Sequence, residues 1–478
     1  MNLITLYWLT PELIICSAGI LSLLIGLMQG EIKKSLLCIV NQTAFLAVII
    51  ICYQYLAMLI LGDMTAEIAS NTLIIDSFSL VIKMVIATLS FVVFLYSRVY
   101  VESQSNNHGE YYSLAMFSIL GMMILASATN FLSLYLGIEL LSLPLYALVA
   151  LNDRRKLAIE AGMKYFITGG LASSIMLFGI SIIYAVNGDL SIVSANSEAL
   201  SSSHTLPFTF GIVCLWVGIA FKLGAAPFHQ WVPDVYHGAP LSLTMFISSL
   251  PKLAAFAIVY RIFSSSFIGM HSNVQTMIMV TAVLSITVGT LSALWQTNIK
   301  RLLAYSAIAN IGYMLLAVFV GAYEQALFYL IVYAIAIIGV FGLILSLSSV
   351  NEREELKDLS GLAKSQPILG LTLMFLVLSM AGIPPFVGFY AKLMIFQSLL
   401  DGSHWFLVIF GLLMSVVGAF YYLKIIKIIY FEEQHSKAPP TTLYSCPSSR
   451  AMLVTNGLLA LLLGLYPIPI LNICSLIG

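Results

Sequence analysis

Charge is scarce in this sequence. Only 9% of its 478 residues are Asp, Glu, Lys or Arg against 60% hydrophobic, and 21 basic residues face 21 acidic ones. A soluble multidomain protein cannot clothe its surface with so few charges, and zero net charge offers no electrostatic footprint for nucleic acid. Cysteine is sparse too. Cys16, Cys38, Cys52, Cys214, Cys446 and Cys474 are scattered without a C-x-x-C pair, which argues against a zinc site or an iron–sulfur cluster in this chain and leaves them as apolar filler. No flavin, nicotinamide or quinone-binding motif stands out either. The first apolar run has no basic residue before it and no small-residue cleavage site, so it is expected to be a retained span and not a signal peptide.

What fills the chain is apolar length. Mean hydropathy is +1.00, and runs of about twenty apolar residues alternate with short polar connections, which predicts an all-α polytopic membrane protein. We count about fourteen spans in a single integral membrane domain over residues 1–478. Spans 1–3 occupy 1–100, spans 4–8 occupy 112–261, spans 9–13 occupy 276–427 and span 14 occupies 451–475. Fifteen basic residues fall in or beside odd-numbered connections and only Arg261 flanks an even one. By the positive-inside rule this places the odd connections in the cytoplasm and both termini on the outer side.

Five lysines remain inside spans: Lys83, Lys164, Lys222, Lys252 and Lys392. A lysine at mid-bilayer costs roughly 2.5–3.5 kcal/mol on insertion scales, so each needs a reason to persist. Glu139, near the centre of span 5, lies one turn before Pro144, which cannot donate to the Leu140 carbonyl. The carboxylate either handles protons or only ties two helices together. Lys164 follows the Arg154-Arg155-Lys156 cluster by eight residues, about 12 Å along a helix, so it can snorkel to the interface. Lys222 and Lys252 lie deeper, Lys252 directly after Pro251 and one turn past Ser248; the bland reading of either is a static ion pair. Lys83 lies two turns after Asp76, and an ion pair between them, or a lipid-facing side chain reaching an interface, accounts for it better than transport chemistry does.

Two spans are broken. In span 7, Lys222 precedes Gly224 and Pro227; in span 12, Gly382, Pro384 and Pro385 precede Lys392, and consecutive prolines cannot sit inside an unbroken helix. Interrupted helices at matching places in halves of opposite orientation point to an inverted repeat with an ion path at its centre, here helices 4–8 and 9–13. His229 and His237 fall at the cytoplasmic end of span 7. With Asp234 they match no metal-ligand spacing, and we read them as hydrogen-bonding groups of a hydrated mouth.

The run Phe221-Lys222-Leu223-Gly224-Ala225-Ala226-Pro227-Phe228-His229 through Gly238-Ala239-Pro240, with Gly137-Ile138-Glu139-Leu140 and Gln296-Thr297-Asn298-Ile299-Lys300-Arg301, resembles the antiporter-like membrane subunits of proton-pumping NADH:quinone oxidoreductase, respiratory complex I. The Pro-Asp-Val-Tyr-x-Gly-Ala-Pro form and the modest length resemble the N branch of that family more than its longer L and M branches. The resemblance covers nearly the whole chain. It implies fourteen helices, two inverted five-helix repeats with helices 7 and 12 broken, and one proton path through mid-membrane. It places the family's acidic residue on Glu139 and its lysines on Lys164, Lys222, Lys252 and Lys392, while Lys83 matches no family position. Asn310 stands where the family's helix 10 often carries histidine, so that position either only organises water, as Ser248, His229 and His237 are candidates to do, or the relay runs differently there.

The resemblance further implies a bacterial inner membrane location. Its partners would be neighbouring subunit M and small subunits such as K and J, with FMN, iron–sulfur clusters, NAD and quinone held by partner subunits and none here. The expected mechanism is a switchable Glu139–Lys222 pair that releases a proton toward Lys252, after which Lys392 exchanges with the outer face. The rival readings are a subunit of a cation/proton antiporter or membrane-bound hydrogenase, and a structural spacer without transport.

Overall fold

The computed structural model describes residues 3–28, 32–62, 66–68, 72–104, 108–151, 155–192, 205–264, 272–348, 354–433 and 447–477; Cys446 and Arg154 fall outside them. A bilayer core supplies no partners for backbone N–H and C=O groups, so apolar runs close their hydrogen bonds internally as helices. The chain opens with α1 (Leu3–Trp8), α2 (Thr10–Gly26) and α3 (Ile32–Gly62). An antiparallel hairpin of β1 (Ala66–Ile68) and β2 (Leu73–Ile75) leads into α4 (Ser77–Gln104). Next come α5 (His108–Ser127), α6 (Phe131–Ala150), α7 (Lys156–Asn187), the pair α8 (Thr205–Leu223) and α9 (Trp231–Gly238), and α10 (Leu241–Phe263). A second set follows: α11 (Ser272–Leu294), α12 (Ile299–Phe319), α13 (Tyr323–Leu347), the short α14 (Leu362–Ser365), the pair α15 (Pro367–Ala381) and α16 (Val387–Asp401), and α17 (Trp405–Phe431). The chain ends in α18 (Pro447–Leu465) and α19 (Ile468–Cys474), with a bend of 82° between them.

The protein is an all-α polytopic membrane protein. Among the described residues eleven helices are long and apolar enough to span a bilayer, or twelve if the bent C-terminal pair is one span. The difference from the fourteen expected lies in α2, which begins at a proline-containing turn and is short, and in the α15–α16 break. Large apolar side chains on α3, α7 and α17 point outward, whereas α10 and α13 pack together at the centre and are buried nearly throughout.

The two sets share one packing pattern. α5 lies along α6 as α11 lies along α12, and α10 touches α5, α8 and α9 as α17 touches α11, α15 and α16. The register agrees at the residue level. A Cβ on Gly121 would meet Leu141 N at 2.4 Å, and one on Gly289 would meet Ala309 N at 2.5 Å; the two contacts have the same sequence separation. Both crossings need glycine because the backbones approach too closely for any side chain. Thr129-Asn130-Phe131 and Thr297-Asn298-Ile299 start α6 and α12 alike, each asparagine capping its helix from the side chain. Phe131 N donates to Leu190 O at 2.9 Å and Ile299 N to Glu354 O at 2.8 Å, so the segment returning from α7 or α13 pairs with the same three residues.

The second copy of this motif is charged. Glu354 is bonded to Arg155, at the start of α7, lies 3.4 Å from His237 Nε2 at the end of α9, and lies 3.4 Å from Lys300 Nζ in the first turn of α12. Lys300, expected in a surface connection, is fully buried and donates to Ala239 O at 2.9 Å. One carboxylate thus ties both sets together. Burial alone would raise its pKa, but the hydrogen bond from His237 and the charges of Lys300 and Arg155 hold it well below the usual carboxylate range.

A second correction concerns Lys83. Its ammonium lies 2.5 Å from Glu12 Oε1 on α2, both side chains buried, and is not paired with Asp76. Asp76 instead accepts a two-pronged bond from Arg261 at 2.6 and 2.7 Å. The two-turn spacing along α4 suggested a partner on the same helix, whereas packing supplies one from α2.

Two stability effects follow. Glu12→Gln leaves a buried ammonium unpaired and is expected to cost about 3–5 kcal/mol, whereas Glu12→Leu combined with Lys83→Leu costs much less; thermal unfolding of the detergent-solubilised protein compares them. Glu354→Gln is expected to cost about 1–3 kcal/mol at pH 7. Because the native carboxyl titrates below its unfolded value, its contribution is present above about pH 4.3 and lost below it. The melting-temperature gap between wild type and Glu354→Gln should therefore narrow as pH falls below that value, and a constant gap would contradict the assignment.

Candidate functional site

Lys222 sits in the last turn of α8. The helix stops at Gly224, whose φ of +73° lies in the left-handed region that favours glycine, and a Cβ there would meet Val232 Cγ2 at 2.7 Å. The backbone groups freed by the break find partners. The Trp231 indole donates to Phe221 O at 2.9 Å, and Ala226 N donates to Ser285 Oγ on α11 at 2.8 Å. Lys222 Nζ donates to Ser142 Oγ at 2.7 Å and Tyr146 OH at 3.0 Å on α6, and lies 5.4 Å from the Tyr146 ring centroid.

Lys252, directly after Pro251 inside α10, donates to Tyr333 OH on α13 at 3.2 Å and lies 4.8 Å from that ring. Lys392 on α16 reaches back across the second break. Its ammonium donates to Ala381 O, the last carbonyl of α15, at 2.9 Å and to Ser415 Oγ on α17 at 3.0 Å, and lies 5.1 Å from the Tyr313 ring. Gly382, at φ +82°, ends α15, and a Cβ there would meet Lys392 Cδ at 2.8 Å. Lys222, Lys252 and Lys392 are 8%, 5% and 7% exposed, and among the described residues none is ion-paired with a carboxylate. Hydroxyls and ring faces solvate them instead. Lys222 lies in the last turn of α8 and the Lys392 ammonium lies against the last carbonyl of α15, where the backbone dipole favours a cation by about 0.3–1 kcal/mol.

Asn310 is buried between the second and third of these lysines. It donates to Ser306 O at 2.8 Å and to Tyr422 OH at 3.3 Å, and accepts from Tyr329 OH at 2.6 Å; Ser306 and Tyr422 share a further short hydrogen bond. A cavity of about 10 Å³, room for one water, is lined by Asn310, Tyr329, Tyr333, Ser379 and Lys392.

The other sequence candidates are placed as follows. Glu139 is half-buried on α6 with Oε1 enclosed and, among the described residues, without a hydrogen-bond partner. No direct ion pair joins it to Lys222; Ser142 and Tyr146, one and two turns along the same face, make the contact. Lys164 is exposed on α7, 2.8 Å from Glu160 and 3.0 Å from Asp234, which also binds Arg301 at 3.1 Å, so it stands apart from the buried row. His229 is half-buried, with a buried Nδ1 that lacks a partner among the described residues. His237 belongs to the Glu354 cluster. Ser248 donates to Met245 O in its own helix at 2.9 Å. Among the described residues no group of three or more His, Cys, Asp or Glu is arranged to hold a metal.

The two breaks correspond, but their lysines do not. Gly224 and Pro227 are separated from Gly382 and Pro385 by one constant interval, and the Ala226–Pro227 and Pro384–Pro385 bonds are both cis. That interval aligns Lys222 with Met380 and Lys392 with Asp234. The two lysines therefore serve the two breaks from different positions. Sequence reasoning also missed the hydroxyls. Ser142 and Tyr146 follow Glu139 by three and seven residues on one helical face, and Tyr329 and Tyr333 are one turn apart on α13, a polar stripe at helical spacing that was there to be read.

Residues 128–418 match the family described as NADH:quinone oxidoreductase/Mrp antiporter, transmembrane. NADH-quinone oxidoreductase subunit N of Thioalkalivibrio sulfidiphilus is 45% identical over 402 residues, covering 83% of each chain. A chain of respiratory complex I from Thermus thermophilus superposes with a TM-score of 0.79 at 30% identity, covering 97% of this chain and 98% of that one. A chain of the Mrp complex from Dietzia sp. DQ12-45-1b, at 21% identity and TM-score 0.84 over 100% of this chain and 97% of that one, shares the fold. With a match across more than half its length and relatives of this identity, the chain belongs to the NADH:quinone oxidoreductase/Mrp antiporter transmembrane family, in the subunit N group of the NADH-quinone oxidoreductases.

Proposed function

We propose that this subunit moves protons through the membrane along Lys222, Lys252 and Lys392, driven by redox chemistry in other subunits of an NADH-quinone oxidoreductase. The observation that carries the reading is three buried ammonium groups solvated by hydroxyls and ring faces without a carboxylate partner. A static structural lysine in so apolar a place is matched by a buried countercharge, as Lys83 is by Glu12. An ammonium held only by neutral donors and acceptors can lose its proton without stranding an opposite charge.

Glu139 acts on Lys222 from across Ser142 and Tyr146. Its charge sets how costly it is to keep the ammonium protonated, one pKa unit being 1.36 kcal/mol. A shift of Glu139 toward or away from the α6–α8 contact therefore loads or unloads Lys222. Lys252 receives the proton at the centre, and Lys392, between the second break and α17, passes it on.

In this reading the two five-helix sets are inverted copies, fourteen spans leave both termini on the outer side of a bacterial inner membrane, and the Glu354 cluster faces the cytoplasm. The charge contrast between the copies of the Thr-Asn motif supports that direction: Lys300, Arg301 and Glu354 surround one, and Leu132, Ser133 and Leu190 occupy the other. Subunit M and small subunits such as K and J are the proposed neighbours, with FMN, iron–sulfur clusters, NAD and quinone bound elsewhere in the assembly. Lys164 lies too far out on α7 for the buried row and is assigned to the surface pairing with Asp234 and Arg301.

Lys222→Ala and Lys392→Ala, in membranes where the complex is assembled, are each expected to lower NADH-driven proton translocation by roughly tenfold or more, the factor that 1.36 kcal/mol in a barrier represents. Lys164→Ala should leave it within about fivefold, as removing a surface ion pair changes energies by about 1 kcal/mol or less. Unimpaired pumping by Lys222→Ala in assembled complex would reject the path.

A further inference from the structure

We infer that Asn310, with Ser306, Tyr329 and Tyr422, forms the junction that hands the proton from Lys252 to Lys392, with Asn310 as its positioning residue; this rests on the lysine path proposed above. Neutral side chains lie between these lysines. Tyr333 OH accepts from Lys252 at 3.2 Å and its side chain lines the same water-sized cavity as Lys392 and Asn310. Tyr329, one turn before Tyr333 on α13, lines it too and donates to Asn310 Oδ1 at 2.6 Å. A water in that cavity would meet hydroxyls from two tyrosines, an amide and an ammonium, within the two to four polar partners such a water requires.

The internal repeat gives the reason for an amide at this point. Asn310 follows the cap Asn298 by the same number of residues as Ser142 follows the cap Asn130, and the Gly121–Leu141 and Gly289–Ala309 contacts fix the two helices in one register. Asn310 is thus the second-repeat counterpart of Ser142, the group that accepts from Lys222 at 2.7 Å. In the second repeat the position aligned with Lys222 is Met380, which also lines the cavity, so no ammonium reaches Asn310 from that side. The site keeps its polar receptor and lacks its lysine. The vacancy in the pattern is filled by tyrosines, and the larger amide spans from Tyr329 on α13 to Ser306 and Tyr422.

The amide also fixes direction. Nδ2 donates toward Ser306 and Tyr422, so Oδ1 is left to accept from Tyr329. Tyr329, having spent its only proton on Oδ1, can offer the cavity water only an acceptor. A water so placed must donate to Tyr329 and keep a lone pair for a proton arriving from the Lys252 side. Asn310 itself never carries the proton; it orients Tyr329 and, through it, the water that does.

The test uses the assembled complex in membrane vesicles and measures protons translocated per NADH oxidised, with the amount of assembled complex checked in each case. Asn310→Leu, close in volume and without hydrogen bonds, should lower proton translocation by roughly tenfold. Asn310→Ser, which restores the first-repeat group, should recover most of it; a purely structural role would not be rescued by a smaller side chain that leaves a cavity. Should Asn310→Leu not assemble, Tyr422→Phe removes one hydroxyl without changing volume and should lower translocation several-fold. Assembled Asn310→Leu or Tyr422→Phe complex pumping at wild-type level, while Lys392→Ala does not, would overturn the junction and leave the lysine path standing. Normal pumping by Lys392→Ala as well would remove the path itself.

Discussion

Everything in this structure answers to the problem of keeping an ammonium group inside a bilayer. The chain solves it in two ways. Lys83 is neutralised by Glu12 in the N-terminal helices, and Arg261 by Asp76 nearby. Lys222, Lys252 and Lys392 are solvated by serine and tyrosine hydroxyls, ring faces and helix ends. The first solution fixes a charge in place. The second leaves it able to change, because a neutral lysine amine can still accept and donate hydrogen bonds to the same hydroxyls.

The broken helices serve this second solution. A continuous helix offers an ammonium no free carbonyl, whereas a half-helix presents unpaired carbonyls at its C-terminal end. Lys392 takes the last carbonyl of α15, while at the first break Trp231 takes the carbonyl of Phe221 and frees Lys222 to turn toward α6. The same backbone break is therefore used from two sides. At the protein's edge Glu354 joins the start of α7, the end of α9 and the start of α12, so the segment behind the first break is anchored to the second set of helices.

Much of this was legible in the sequence for physical reasons. Burying charge and breaking helices are both costly in a membrane, so Lys222, Lys252, Lys392 and the two proline breaks stood out from an apolar background, and the structure places all three lysines in the interior. Tyrosine and serine cost little there and raise no such signal, so the groups that hold those lysines were passed over. Lys83 was assigned the wrong partner because helical spacing reports neighbours on one helix and says nothing of Glu12 on another. Lys300 looked like an ordinary connection residue because its burial depends on α9 and on the return of the chain at Glu354. The repeat was visible at the breaks, whose spacing puts Met380 where a second Lys222 would have been; the matching register of α5 on α6 and of α11 on α12 needed the Gly121 and Gly289 crossings.

The central claim is that the three hydroxyl-solvated lysines are one continuous path, and the middle one tests it most directly. Lys252→Met keeps the length of the side chain in the apolar centre of α10 and removes only its ability to bind a proton. Complex carrying this substitution, reconstituted in sealed vesicles, should translocate markedly fewer protons per NADH oxidised than wild type. An unchanged ratio would contradict the account, because Lys252 is the group it requires to hold the proton between Lys222 and Lys392.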